Sequence, residues 1–115
     1  MTYVEGFVAA VPTANRDAYI DMAQQAAGYF KSLGATRMVE CWGDDVPRGE
    51  VTDFYRATQA KDDETVIFSW VSFPDKATRD AAHEEMTTSP PEDQPELPFD
   101  GQRMFFGGFE QVVSE

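Results

Sequence analysis

The sequence predicts an α+β fold, namely a ferredoxin-like split βαβ antiparallel sheet with two helices on one face. Two helical segments alternate with strand-like segments in the order β-α-β-(β)-β-α-β. Both faces of the main strands carry aromatic residues, so the sheet face without helices must expose an apolar patch, which usually marks an interface. We expect that patch to hold Trp42, Phe68 and Trp70, and two copies of the chain to pack sheet to sheet as a homodimer.

The chain has 115 residues and is predicted to form a single domain over its whole length. A first strand is predicted over residues 3–11, where aromatic and β-branched residues run up to Pro12. A helix follows, with Asn15 as its N-cap and Gly34 as its left-handed C-cap, because apolar residues between them recur at three- and four-residue steps. The next strand is predicted over residues 36–43.

Two further strands and a second helix are predicted beyond an acidic loop. The segment 51–60 is predicted to be an extra strand, because its Val, Thr, Phe and Tyr residues favour extended structure. Residues 65–73 (TVIFSWVSF) give the strongest strand signal in the chain. Helix 75–87 is expected next, with Asp75 as its cap.

The last part of the chain combines a proline-rich segment with a glycine-containing strand. Residues 88–102 include four prolines and four acidic residues, which predicts an irregular loop or lid. Residues 103–113 are predicted to form the final strand. The pair Gly107-Gly108 indicates a bulge or a close backbone approach within it.

The charge balance excludes several classes of partner. Twenty-one acidic residues against nine basic ones give a net charge of −12, which repels phosphate backbones and anionic membranes. We therefore expect no nucleic acid and no membrane partner. No stretch approaches eighteen consecutive apolar residues, and the N-terminus lacks the basic residues of a signal peptide, so the sequence predicts a cytoplasmic protein.

The single cysteine and the single histidine limit the possible chemistry. Cys41 is predicted to be an inward-facing strand residue that packs as a small hydrophobe, and His83 is predicted to lie on the polar side of its helix. One His and one Cys do not build a transition-metal site or a catalytic triad. The glycine pair lies inside a strand with no helix after it to bind phosphate, so we expect no cofactor.

The sequence resembles the YbaA-like family of short bacterial proteins, a domain of unknown function. The motifs that carry this resemblance are EGFVAAVP, VECWGDDVPRGEVTDF, VIFSWVSFPDKATRDAA and LPFDGQRMFFGGFE, which together cover nearly the whole chain. The resemblance implies a dimeric α+β barrel, the fold shared with antibiotic-biosynthesis and haem-degrading monooxygenases. It implies no activity, because this fold hosts many functions.

The haem-degrading relatives provide a residue-by-residue test. Members of that group use an Asn on the first strand, a Trp on the third sheet strand and a His on the second helix. Here Trp70 and His83 match the last two positions, whereas the chain's one asparagine, Asn15, lies at the start of a helix. Haem chemistry is therefore not expected.

Glu40 and Trp42 are the sharpest candidate site residues. Strand alternation places Met38, Glu40 and Trp42 on one face, and a carboxylate between two large apolar residues is unusual because burying an unpaired charge is costly. One interpretation is a carboxylate of raised pKa that acts as an acid or base or binds a polar ligand. The other is a structural ion pair, between strands or between subunits, with one of three arginines, Arg37, Arg56 or Arg103.

Four more residues complete the predicted site. Asp44 and Asp45 follow the strand and are expected in a solvated turn, although with Glu50 and Asp53 they offer oxygen ligands for a hard cation. Trp70 and Tyr3 could join Glu40 and Trp42 in an apolar cavity with polar anchors. We expect no metal, because the spacing does not match an EF-hand.

Three functional hypotheses remain open from the sequence. The first is a small-molecule-binding or stress-related homodimer with a barrel cavity for a small apolar or aromatic ligand. The second is a cofactor-independent monooxygenase-like enzyme acting on an aromatic substrate. The third is a structural dimer whose partners are proteins, with the segment 88–102 as the contact.

Overall fold

The computed structural model describes residues 1–90 and 96–115 and shows, within them, a four-stranded antiparallel sheet with three helices. The strands are β1 (Tyr3–Pro12), β2 (Arg37–Trp42), β3 (Glu64–Phe73) and β4 (Phe105–Glu110). The helices are α1 (Arg16–Ser32), α2 (Phe54–Thr58) and α3 (Lys76–Thr88), and two 3-10 turns cover Thr13–Asn15 and Gly101–Arg103. None of the described helices combines the length and apolar character that crossing a bilayer would need.

The strands are ordered β2-β3-β1-β4 in the sheet, and each pair is antiparallel. β1 and β3 pair over their full length, from Tyr3 opposite Phe73 to Pro12 opposite Glu64. These two central strands carry most of the buried residues, as the strong strand signals in 3–11 and 65–73 predict. β2 and β4 form the edges.

Helices α1 and α3 cover the same face of the sheet. Tyr19 and Ala23 of α1 pack with Ala9, Val11 and Ile67, all odd-numbered residues of the central strands. A second cluster under α3 joins Ala82 to Val71 and Phe73, again odd-numbered residues of β3. Because side chains alternate along a strand, these contacts lie on one face. Both main helices therefore lie on a single face of the sheet.

The opposite side of the sheet, which we call the open face, is apolar and largely uncovered. Phe68 is 48% exposed and Phe109 is 61% exposed there. The molecule measures 38 × 37 × 21 Å, and its smallest dimension accommodates one helix layer on one sheet. The prediction that Trp42 lies on this face is wrong, because Trp42 packs against Tyr19 on the helix face. The open face consists of Val4, Val8, Phe68, Trp70, Phe105 and Phe109.

The helix ends follow the predicted signals with one difference. Gly34 adopts φ +106° after α1, the left-handed conformation expected of its C-cap position. The Asp75 carboxylate accepts a hydrogen bond of 2.8 Å from the Thr78 amide and caps α3. Asn15 stands at the N-cap of α1 but makes no capping bond, because its amide group donates to the Pro98 carbonyl at 2.8 Å instead.

The predicted strand over residues 51–60 is wrong, because this segment contains the short helix α2. Asp53 accepts hydrogen bonds from the amides of Arg56 (2.8 Å) and Gly49 (3.0 Å), so the turn is capped locally. The Thr58 hydroxyl is fully buried and donates to the Phe54 carbonyl at 2.8 Å. These local side-chain bonds override the strand propensity of the β-branched and aromatic residues.

β4 is shorter than the predicted strand over 103–113 and has continuous pairing with β1. The register runs without interruption from Tyr3 opposite Glu110 to Val8 opposite Phe105, so the glycine pair does not form a bulge. The predicted close approach does occur at Gly108. A Cβ there would lie 2.6 Å from the Arg79 Nη2 atom and 2.6 Å from the Tyr3 hydroxyl.

The segment 88–102, which was predicted to be irregular, is described only in part. α3 extends to Thr88, and residues 96–100 contain no helix or strand. Residues 91–95 lie outside the described residues. That the whole segment forms an irregular loop or lid stays a prediction.

Candidate functional site

A groove of about 300 Å³ lies between α1 and the edge strand β2. We call it the α1–β2 groove. Its walls are mainly apolar, and its polar groups are one arginine, one glutamine, one tyrosine hydroxyl and one carboxyl group. The residues that define it are Arg16, Tyr19, Ile20, Ala23, Met38, Glu40 and Trp42.

The two-residue repeat of a strand and the four-residue repeat of a helix place the side chains that line this groove. Met38, Glu40 and Trp42 share one face of β2, as the sequence predicts, and the structure directs this face toward α1 rather than toward the open face. On α1, the four-residue step from Tyr19 to Ala23 keeps these side chains on the helix face toward the sheet. The small alanine leaves space that a larger side chain would fill, and the groove opens beside it.

Glu40 is held by a tyrosine. The Tyr19 hydroxyl donates a hydrogen bond of 2.6 Å to Glu40 Oε1, and Ser69 is the partner of Glu40 across the β2–β3 ladder. Burial raises the pKa of Glu40, and the hydroxyls of Tyr19 and Ser69 oppose that effect. Burial also raises the pKa of Tyr19, and the nearby Glu40 adds to the rise. Within the described residues of one subunit, no arginine forms an ion pair with Glu40, and an arginine partner from a second subunit stays a prediction.

Trp42 forms one end of the groove together with Arg16. Its ring lies 6.2 Å from the ring of Tyr19, with an angle of 50° between the planes. The Arg16 guanidinium carbon lies 5.7 Å from the Trp42 ring centre, a cation–π arrangement. A carboxyl group, a flat aromatic wall and a cation therefore follow one another along the same groove.

Asp44 and Asp45 lie outside this groove, in the turn after β2. Both are exposed, and they border a smaller hollow of about 220 Å³ that also includes Phe54 and Phe68. Asp53 is occupied by its capping bonds, and the two amides that donate them lower the pKa of its carboxyl. Among residues 1–90 and 96–115, no three His, Cys, Asp or Glu side chains are grouped as metal ligands.

Trp70 and Tyr3 are not close to Glu40 within one subunit. Trp70 lies on the open face, where it borders a shallow hollow with Phe68 and Phe109. Tyr3 lies on the helix face at the far end of the sheet, and the Arg79 guanidinium carbon is 5.2 Å from its ring centre. The structure thus brings Glu40 and Trp42 together in the groove. Asp44 and Asp45 border a neighbouring hollow that Trp42 also lines, and Trp70 and Tyr3 lie elsewhere.

The structure also contains a buried charged cluster that the sequence analysis missed. Glu5 on β1 is 1% exposed, and its two oxygens contact His83 Nε2 at 2.5 Å and Arg79 Nη2 at 3.4 Å. The prediction that His83 lies on the polar side of α3 is therefore wrong. Arg79 and His83 follow each other at a four-residue step on α3, which is the signal that could have found them.

Cys41 is exposed on the edge strand β2, so the prediction that it faces inward is wrong. It alternates with Glu40 and Trp42 and thus lies on the other side of the strand. Edge strands bury fewer side chains than central ones, and an alternating pattern does not distinguish the two positions.

Fold and site together define an α+β protein with a single-layer antiparallel sheet and a groove of ligand size beside its edge strand. Residues 2–101 match the model of a family described as a protein of unknown function, DUF1428. The proteins named "Uncharacterized protein YbaA" from Escherichia coli K12, Escherichia coli O157:H7 and Shigella flexneri are each 51% identical over 117 residues, covering 100% of both chains. The chain belongs to the DUF1428 family, and the resemblance to YbaA-like proteins is confirmed.

Proposed function

We propose that this protein is a homodimeric small-molecule-binding protein that holds a small apolar or aromatic ligand in the α1–β2 groove. The observation that carries the proposal is the Glu40 carboxyl group, which is bound to the Tyr19 hydroxyl and borders a groove with mainly apolar walls. Ligand sites are typically apolar clefts with a few convergent polar groups and perturbed pKa values.

The size and chemistry of the groove support a small ligand. Its volume of about 300 Å³ lies at the lower end of the range for small-molecule sites. Trp42 provides a flat surface on which an aromatic ring can stack. Glu40 can orient a polar group of the ligand, because its carboxyl group borders the groove and has no basic partner among the described residues.

The strand order and the open face support the homodimer. The order β2-β3-β1-β4, with α1 and α3 on one face, supports the proposal of a ferredoxin-like sheet. Exposed aromatic rings on the other face would be covered if two sheets packed together, which would produce a dimeric α+β barrel. We further expect the protein in the cytoplasm, since its one cysteine, Cys41, is an exposed free thiol, and no nucleic-acid partner because the net charge is −12.

Ligand binding is tested by tryptophan fluorescence, because the chain has two tryptophans in different places. Trp70→Phe leaves only Trp42 in the groove, whereas Trp42→Phe leaves only Trp70 on the open face. We expect saturable quenching by some members of a panel of aromatic and quinone-like compounds in Trp70→Phe but not in Trp42→Phe. Glu40→Gln should weaken binding more than it changes the free energy of unfolding.

Quenching that persists in Trp42→Phe and disappears in Trp70→Phe would move the ligand site to the open face. No quenching by any compound, with folding confirmed by circular dichroism, would reject small-molecule binding in favour of a structural or protein-interaction dimer.

Dimerisation is tested by two substitutions on the same strand. Phe109 and Phe106 are exposed phenylalanines of β4 (61% and 58%), but they face opposite sides of the sheet. In sedimentation experiments, Phe109→Lys should produce monomers, because a charge in an apolar interface is costly. Phe106→Lys should remain dimeric. The face-to-face barrel is rejected if both variants sediment like the unmodified protein.

A further inference from the structure

Arg16 gives the α1–β2 groove a positive charge at one end. It is exposed and its guanidinium carbon lies 5.7 Å from the Trp42 ring centre, and no carboxylate of the described residues lies within 4 Å of it. By contrast, Arg79 and Arg103 each contact two carboxylates. Although the chain has 21 acidic residues, the charge of Arg16 at the groove is thus not neutralised by a carboxylate of the described residues.

We propose that the ligand of the groove is a small organic acid, with an anionic group bound by Arg16 and an apolar or aromatic body lying along Trp42 toward Met38. This inference rests on the proposed function and adds the ligand class. A guanidinium group binds carboxylates through paired, charge-assisted hydrogen bonds. Because Arg16 lies beside the Trp42 ring, an aryl acid would place its acid group at Arg16 and its aromatic ring against Trp42 at the same time.

The spacing along β2 adds a second requirement for the ligand. Glu40 and Trp42 are two residues apart on the same strand face, so their side chains are separated by roughly 7 Å. A ligand held by Arg16 beside Trp42 would therefore reach Glu40 with a hydroxyl or carbonyl group at about that distance from its acid. We infer an acid with a second, uncharged polar group rather than a pure hydrocarbon acid.

A cationic ligand is the main competitor, since Glu40 and the net charge of −12 would attract amines. Three features of the groove oppose it. An ammonium group beside Trp42 would meet the like charge of Arg16, and the Tyr19 hydroxyl already donates to Glu40. Burial also raises the pKa of Glu40, which favours the neutral carboxyl group that does not repel an anion.

The proposal can be tested with three matched probes, 3-fluoro-4-hydroxyphenylacetate, 3-fluoro-4-hydroxyphenylacetamide and 3-fluoro-4-hydroxyphenethylamine, whose shared hydroxyl group provides the second, uncharged polar group. They share one aromatic body and differ in charge, and fluorine NMR gives the affinity of each for the full-length protein. We expect the acid to bind roughly tenfold more tightly than the amide, the size typical of one hydrogen bond to a charged group, and the amine to bind most weakly. The preference for the acid should decrease at high salt.

Two arginine variants separate the groove from general charge effects. Arg16→Gln should reduce the affinity for the acid by roughly tenfold and leave that for the amide unchanged. Arg48→Gln is the matched control, because Arg48 is also exposed and stacks on an aromatic ring, that of Tyr55 at 4.2 Å, outside the groove. It should change none of the affinities.

The possible negative results distinguish the proposed preference for an acid from the proposed binding of a ligand in the groove. If the amine or the amide binds most tightly and still quenches Trp42, the groove binds ligands but the acid preference is wrong. Equal binding of the acid to the unmodified protein and to Arg16→Gln also overturns the inference. If none of the three probes binds at millimolar concentrations, the acid proposal is overturned, and the fluorescence panel then decides whether the groove binds other compounds.

Discussion

Removal of the Tyr19 hydroxyl tests the electrostatics of the α1–β2 groove most directly. In Tyr19→Phe, Glu40 loses a donor at 2.6 Å, while the ring, which belongs to a residue that is only 5% exposed, keeps its packing. At a pH above its pKa Glu40 is ionised, and a hydrogen bond to a charged group contributes about 1.5–3 kcal/mol. Since Glu40 borders the groove and water can replace the hydroxyl there, we expect the free energy of unfolding to fall by about 1.5 kcal/mol.

The same variant should change the titration of Glu40. The Tyr19 hydroxyl lowers the pKa of Glu40 against the larger, opposite effect of burial, so its removal should raise that pKa further. A carboxyl group whose folded pKa lies above its unfolded value stabilises the protein below the unfolded pKa, and that stability is lost as the pH rises through the folded pKa. In Tyr19→Phe, the pH range over which this stability is present should extend to higher pH. Carbon NMR of labelled glutamate carboxyl groups and urea unfolding at several pH values measure both effects.

Tyr55→Phe is the matched control for this experiment. The Tyr55 hydroxyl donates to the neutral carbonyl of Val46 at 2.7 Å, so its loss should cost about 0.5–1.5 kcal/mol and leave the titration of Glu40 unchanged. An unchanged or lower pKa of Glu40 in Tyr19→Phe would refute the assignment of Tyr19 as the partner of Glu40.

Two further predictions concern stability. Two hydrogen bonds from Arg103, at 2.7 and 2.6 Å, lower the pKa of Glu64 to about 2, so stability present above its unfolded pKa should be lost as the pH falls through about 2. This pKa shift corresponds to about 3 kcal/mol of the free energy of unfolding. Urea unfolding between about pH 5 and pH 2 should therefore show a smaller fall of that free energy with decreasing pH in Glu64→Gln than in the unmodified protein. An identical fall in both proteins contradicts the prediction. Gly108→Ala should lower the free energy of unfolding by about 1–3 kcal/mol, because its Cβ would meet Arg79 and Tyr3 at 2.6 Å. Gly28→Ala, in an open position of α1, should instead raise it by up to about 1 kcal/mol in the same thermal or urea experiment, and equal effects of the two changes would refute the steric argument.

Local sequence patterns predicted the main strands and helices, because strands and helices bury their residues at regular intervals. The β-branched and aromatic residues of 65–73 predicted β3, and the three- and four-residue steps from Tyr19 to Leu33 predicted α1. The same alternation placed Glu40 and Trp42 on one face of β2, which became one wall of the groove. In these cases a strong local pattern agrees with the burial that the sheet imposes.

Contacts between distant segments could not be predicted in this way. The partner of Glu40 lies on α1, 21 residues earlier, and a helical stripe shows only that Tyr19 faces the sheet. His83 is 78 residues from Glu5, and their contact depends on where α3 crosses β1. The helix α2 was missed for a different reason, since one capping carboxylate, Asp53, outweighed the strand propensities around it.

Three glutamates on the strands show why the groove is the functional candidate. Glu5 contacts Arg79 and His83, and Glu64 binds Arg103, so a basic side chain offsets the burial of each. Glu40 borders the groove and is bound by a tyrosine hydroxyl, without a basic partner among the described residues. A carboxyl group held by hydroxyls can gain or lose a proton without leaving a cation unpaired, because no ion pair is broken. The first two glutamates are therefore suited to hold the fold together, whereas Glu40 is suited to respond to a molecule that enters beside it.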